Sequence, residues 1–224
     1  MDAWRLSHGE VPRVAPLPQK REPNRFAPVF VLAPARSHTS VVTTMIGRHP
    51  DLVDVPELKL FAYPTFGELE DSLPRFWIER GVTHRSPGLV RAIAEFLFGG
   101  QTLTSLAMAR AWLSERRQWS GADLFDVLME RAHPRRCVEK SPEHVDSDAT
   151  LARLAGAYPR ARYLHLTRHP VTTQQSMARH MERIAGRAGS GDQPMAGIQA
   201  WFVTHERILR FADGLLGSQY LRIR

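Results

Sequence analysis

A polar turn, "PARSHTS" (residues 34–40), separates an apolar, β-branched run, "PVFVLA" (28–33), from a stretch with helical spacing, "SVVTTMIGRH" (40–49). A strand that stops at Ala33 and a helix that begins near Thr39 leave backbone N–H groups at a helix N-terminus, where an anion is attracted. Arg36 adds formal charge, and Ser37, Thr39 and Ser40 add hydroxyl donors. The familiar triphosphate loop, G-x-x-x-x-G-K-[ST], is not met, because both glycines and the lysine are missing. An acidic strand end for magnesium is not evident either, so an ordinary ATPase or kinase is disfavoured. Taken alone, one arginine and three hydroxyls at a helix start are more often simple capping than catalysis.

Composition narrows the remaining chemistry. The 224 residues suffice for one domain with a substantial core, and 30 Lys plus Arg against 23 Asp plus Glu favour anionic partners. Only Lys20, Lys59 and Lys140 among the basic residues are lysines. Cys137 stands alone, which excludes an intrachain disulfide, a multi-cysteine zinc site and an iron–sulfur site, and fits a reducing, cytoplasmic setting. The histidines are dispersed without H-E-x-x-H or comparable spacing, so no metal is expected. No run approaches the roughly 18 apolar residues of a membrane span. The stretch "VTTQQSMARHMERIAGRAGSG" has the pattern neither of a basic membrane anchor nor of a base-reading helix, so neither a membrane nor nucleic acid is expected as partner. Residues 1–25, rich in Pro and Arg, read as a flexible leader.

The elements that must position such a loop alternate along the chain. "PVFVLA", "LVDVP" (52–56), "RRCVEK" (135–140), "RYLHLT" (162–167) and "QYLRIR" (219–224) read as strands. Helical spacing fills "SVVTTMIGRH", "DATLARLAGAY", "VTTQQSMARHMERIAG" and "MAGIQAWFVTHERILRFADGLL". The alternation predicts an α/β fold, a parallel β-sheet flanked by helices on both faces. Residues 64–133 break it: they are helical by pattern, with interruptions at Ser86 to Gly88 and Ser120 to Gly121. They read as a helical insertion over the carboxyl edge of the sheet, walling an acceptor pocket.

Four pieces in order, P-A-R-S-x-T-S, "HPDLVDVPE", "EKSPEH" and "YLHLTRHPVTTQQS", resemble the sulfotransferases that use 3′-phosphoadenosine 5′-phosphosulfate (PAPS), over most of residues 28–224. The resemblance implies a P-loop-NTPase-like sulfotransferase fold over residues 26–224. It also implies transfer of a sulfuryl group to a hydroxyl of a small-molecule or carrier-bound acceptor, with 3′,5′-ADP as product. Arg36, Ser37, His38, Thr39 and Ser40 match the loop that holds the 5′-phosphosulfate. His38 departs from the family's glycine, whose missing Cβ lets the backbone approach the phosphate at positive φ; the imidazole either points away or adds a donor. Arg168 and Ser176 match the pair that binds the 3′-phosphate, and Pro170 suits the first turn of a helix leaving that strand. Glu57 falls where some members carry a catalytic glutamate and is the first choice of base. Lys140, followed by Ser141, resembles a donor-side element that neutralises the bridging oxygen. His144, with an ordinary pKa near neutrality, is the competing base, and Glu139 orients a neighbour or pairs with an arginine. Trp77, Trp112, Trp119 and Trp201, with Phe61, Phe76, Phe96 and Phe98, read as core rather than as an aromatic acceptor pocket. Relatives typically continue beyond "YLRIR" with further donor contacts, so the sequence reads as C-terminally truncated, and a non-catalytic nucleotide-binding homologue is the alternative reading.

Overall fold

A computed structural model of the chain describes residues 25–75, 84–185 and 194–224. The leader before Arg25, and Phe76 and Trp77 of the aromatic set, lie outside the described residues. All five expected strands form: β1 (Val29–Leu32), β2 (Leu52–Asp54), β3 (Arg136–Glu139), β4 (Arg162–Leu166) and β5 (Tyr220–Ile223). They make one parallel sheet in the order β2-β3-β1-β4-β5. β1 is central, with Phe30 opposite Glu139 on one side and Tyr163 on the other. The chain departs from β1 toward β2 on one side and later crosses to β4 on the other. The carboxyl end of β1 is therefore the switch point at which an open sheet leaves a crevice.

Side-chain alternation divides the core between the two sheet faces. Phe30 and Leu32 join the larger cluster, and Val31 and Ala33 the smaller. The larger cluster buries Phe61, Phe125, Tyr158 and Tyr163 around Phe30, with ring centroids 5.7–6.2 Å from it. Truncating a ring such as Phe30 costs about 3–5 kcal/mol. The smaller face is covered by α1 (Thr39–Ile46) through Val42 and Ile46.

The region read as an insertion contributes α2 (Phe66–Asp71), α3 (Pro87–Phe98), α4 (Leu103–Ser114) and α5 (Gly121–Ala132). Its two supposed interruptions are helix starts. Ser86 and Ser120 accept from the N–H groups of Leu89 and Asp123, and Pro87 and Gly121 open the helices behind them. α6 (Asp148–Ala157), α7 (Pro170–Ala185) and α8 (Pro194–Asp213) complete the alternation, with Ser147 capping α6. Among the described residues, no helix is long and apolar enough to cross a membrane.

Candidate active site

The turn after β1 leads directly into α1, and its backbone is held in an uncommon conformation. Arg36 has φ 68° and His38, the N-cap of α1, has φ 61° and ψ 21°. His38 thus takes the left-handed backbone that a glycine adopts without cost, where a Cβ costs about 1–2 kcal/mol. Its imidazole makes no cap bond and stands exposed at a cavity rim. The His38 carbonyl accepts the first helical bonds, from Val41 at 3.1 Å and Val42 at 3.2 Å. The N–H groups earlier in the chain have no intrahelical partner, as at every helix start. Ser37 is 1% exposed, and its Oγ has no hydrogen-bond partner among the described residues.

Arg168, in the turn after β4, donates from Nη1 to the Arg36 carbonyl at 2.7 Å. Arg36 Nε in turn donates to Ser176 Oγ at 3.3 Å. The two stretches separated by more than a hundred residues therefore close on one another. From α8, Trp201 Nε1 donates to the Arg168 carbonyl at 2.9 Å and fixes that turn from behind. Behind Trp201 lies a buried relay: His165 Nε2 is 2.6 Å from His205 Nδ1, and His165 Nδ1 is 2.6 Å from the Tyr220 hydroxyl. Burial pushes both imidazoles down to about 4, helped for His165 by its neighbour His205 and for both by Arg222.

The segment after β2 carries Glu57 and Lys59 and is pinned through its backbone. Glu139, fully buried at the end of β3, accepts from Leu58 N at 2.9 Å and from Ser141 Oγ at 2.6 Å. Ser141 Oγ accepts from Lys59 N at 2.9 Å, and Ser86 Oγ donates to the Leu58 carbonyl at 2.7 Å. α3 packs so closely that a Cβ on Gly88 would fall 2.1 Å from the Glu57 carbonyl oxygen. Lys59 is held at φ 59°. Glu139 is thus an orienting group, and Lys140 Nζ donates to Glu57 Oε1.

His144 is placed otherwise. It is 0% exposed, its Nε2 lies 3.0 Å from Glu139 Oε2, and its ring meets Phe30 and Phe61 edge-on. It borders neither cavity described below, so these contacts give it the surroundings of a core residue.

Arg36, His38 and Lys59 are the three non-glycine residues with positive φ among the described residues, and all three line a single cavity of about 620 Å³. Glu57, Arg168 and Ser176 line it too. Strained backbone of this kind clusters at ligand-binding and active sites. The sequence reading missed two residues here. Glu143 binds Lys59 Nζ at 2.9 Å. Burial raises its carboxyl, but Lys59, the hydrogen bonds and Arg85 together hold it below the ordinary value. His180 stands one helical turn beyond Ser176, and desolvation, then Arg36 and Arg183, lower its pKa. The lone signal for Glu143 was its place in "EKSPEH"; Lys59 was marked only by the scarcity of lysine.

A second cavity of about 450 Å³ meets the first at Ser40, Glu57 and Lys59. Thr43 and Thr44 line it from α1, Asp54 from the end of β2, and Pro87, Gly88 and Arg91 from α3. Among the described residues, no tryptophan or phenylalanine lines either cavity. Phe61 and Trp112 are core, Phe96, Phe98 and Trp119 pack against it, and Trp201 braces Arg168.

With this geometry in place, the comparisons with known proteins become specific. The profile of the sulfotransferase family matches residues 28–224. The chain belongs to the sulfotransferase family. Among solved structures, this sulfotransferase is similar to the sulfotransferase domain from the curacin biosynthetic pathway, at 24% identity and a TM-score of 0.73, covering 90% of this chain and 68% of that one. It is also similar to the sulfotransferase domain of the Synechococcus PCC 7002 olefin synthase, at 25% identity and a TM-score of 0.70, covering 92% and 70% of the two chains. No curated protein sequence matches. The parallel sheet flanked by helices is the fold it shares with these domains. Among the described residues, no group of three or more His, Cys, Asp or Glu side chains is placed to hold a metal ion.

Proposed function

We propose that this sulfotransferase moves a sulfuryl group from PAPS to a hydroxyl of a small-molecule or carrier-bound acceptor. The observation that carries the reading is the convergence of Arg36, Arg168 and Ser176 on one cavity whose wall holds all three left-handed non-glycine residues. The site suits a nucleotide bisphosphate. Two arginines and the N-terminus of α1 offer positive charge at the cavity, and the buried Ser37 hydroxyl in the same turn lacks a partner among the described residues. Two similar domains that serve a biosynthetic pathway and an olefin synthase support a biosynthetic acceptor.

PAPS supplies the sulfuryl group, whose bond to a phosphate oxygen breaks as a bond to the acceptor oxygen forms. The protein's part is positioning and charge. Arg168 and Ser176 bind the 3′-phosphate, while Arg36, Ser37, His38, Thr39 and Ser40 hold the 5′ end. The Arg36–Ser176 contact opens to admit the nucleotide. Glu57 receives the acceptor proton on Oε2, the oxygen that Lys140 does not occupy. Lys140 orients this carboxylate through Oε1 and sets a positive charge beside the departing oxygen. Ser141 and Glu139 keep the Glu57–Lys59 backbone in place.

The test is transfer of labelled sulfuryl from PAPS, scored on a panel of alcohols and phenols and on water. Label reaching a hydroxyl supports the reading. Tight 3′,5′-ADP binding with no transfer to any acceptor, water included, favours a non-catalytic nucleotide-binding protein. Absence of both removes the donor assignment.

A further inference from the structure

The second cavity carries a statement about the acceptor. Among the described residues it shares only Ser40, Glu57 and Lys59 with the donor cavity, so a molecule within it reaches the proposed base from outside the space that the nucleotide fills. Its lining holds three cations, Lys59, Arg91 and Lys140, against two carboxylates, Asp54 and Glu57. Four of these five are already engaged: Lys59 with Glu143, Lys140 with Glu57, and Asp54 with the Thr44 hydroxyl at 3.2 Å. Arg91 is different. Its Nε donates to the neutral Gln101 amide oxygen at 2.8 Å, and no carboxylate pairs with it among the described residues.

The position of Arg91 relative to the chemistry is fixed. Gly88 abuts the Glu57 backbone, and Arg91 is three residues on, along the same face of α3 and about 4.5 Å further along the axis. The N-terminal end of α3 at Pro87 and Gly88 also faces the cavity, and its dipole adds to the positive charge there. A cation without a counter-ion, mounted one turn from the backbone of the base, discriminates among acceptors.

Resting on the donor assignment above, we propose that this cavity receives the acceptor and that Arg91 selects hydroxyl compounds bearing an anionic head, a carboxylate or a phosphate, several bonds from the hydroxyl. Neutral alcohols of the same size bind more weakly because the guanidinium stays without a counter-ion.

The experiment uses ω-hydroxyalkanoic acids of increasing chain length, their methyl esters, and the corresponding ω-hydroxyalkyl phosphates. Each is titrated calorimetrically into the full chain loaded with 3′,5′-ADP. At the best chain length the acid is expected to bind at least tenfold tighter than its ester. Arg91→Gln should erase that preference and Arg91→Glu should reverse it, while 3′,5′-ADP affinity stays within about twofold. The acid and phosphate arms show which head group is preferred. Equal binding of acid and ester, binding of neither, or a preference that survives Arg91→Gln overturns the proposal. If 3′,5′-ADP itself does not bind, the donor assignment falls, and the same acid-against-ester comparison on the nucleotide-free protein still decides the role of Arg91.

Discussion

The two cavities that meet at Glu57 are built by different means. The cavity proposed for the donor grows from the carboxyl ends of β1, β2, β3 and β4, and Arg36, Glu57, Lys59 and Arg168 reach it from turns tied down by other parts of the chain, while Ser176 reaches it from α7. Arg36, His38 and Lys59 hold strained backbone there, at a cost of about 1–2 kcal/mol each. The cavity proposed for the acceptor is walled by α1 through Thr43 and Thr44, by the segment after β2 and by the N-terminal part of α3, whose charged residue Arg91 is exposed on a regular helix. A rigid, strained half suits a ligand that does not vary. A half that includes an exposed helix face can change selectivity through a single side chain and leave the fold intact.

The comparison breaks most readily at the junction. Glu57→Gln is expected to slow sulfuryl transfer by about 10²–10⁴-fold while leaving 3′,5′-ADP affinity nearly unchanged, because a general base acts in the transition state. Labelled-PAPS turnover, scored on water if no better acceptor is found, gives the rate, and calorimetry gives the affinity. A rate that drops only as far as binding drops would move the base elsewhere.

A second departure concerns acid stability behind the donor turn. His165 and His205 are held neutral in the folded protein, at about 4 against an ordinary 6.5, with burial as the main cause. Between those values the unfolded chain binds protons that the folded chain refuses. Their contribution is therefore complete above about pH 6.5 and is lost as pH falls through about 4. The pair should account for on the order of a few kcal/mol over that window. Imidazole NMR titrations and pH-dependent melting check this; ordinary titration near 6.5 at both rings would refute the buried relay.

Ser141→Ala removes the acceptor for Lys59 N and one donor to Glu139, and should lower stability by about 1–3 kcal/mol. The melting temperature reports the loss, and turnover should fall more than nucleotide affinity does. The smallest effect is expected at His38. Replacing it with glycine relieves the left-handed backbone and should raise stability by up to about 1 kcal/mol in urea unfolding, with 3′,5′-ADP affinity undiminished. A loss of affinity would give the imidazole a donor role.

The same contrast governs what the sequence made legible. The five strands were visible because buried parallel strands are short runs of β-branched and aromatic residues, and the turn after β1 because strand, polar turn and helix follow without a gap. Arg168 and Ser176 were singled out by their match to the family's 3′-phosphate pair, and the fold brings both to the cavity that Arg36 lines. Ser86 and Ser120 were misread as interruptions because a capping serine looks the same as a break until the helix behind it is seen. The Glu57–Lys140 contact joins residues 83 positions apart, and the Leu58–Glu139 bond spans 81; no local pattern encodes either. His144, sensible as a base by residue type, is enclosed by Phe30 and Phe61, which only the folded core reveals. Arg91 carried no signal at all, since a helical arginine in an arginine-rich chain is unremarkable before its neighbours are known.

The central claim is that Arg36 and Arg168 grip one nucleotide together, and calorimetry of 3′,5′-ADP and 5′-AMP with both alanine variants and the double variant tests it most directly. Each single change should weaken 3′,5′-ADP binding by about 10- to 150-fold. The double variant should lose less than the product of the two, because Arg168 also holds the Arg36 carbonyl. Arg168→Ala should cost 5′-AMP, which lacks the 3′-phosphate, clearly less than it costs 3′,5′-ADP, the remaining loss arising through the Arg36 carbonyl that Arg168 holds. Wild-type affinity in both single variants, or an Arg168→Ala loss that is the same for both nucleotides, would contradict the account.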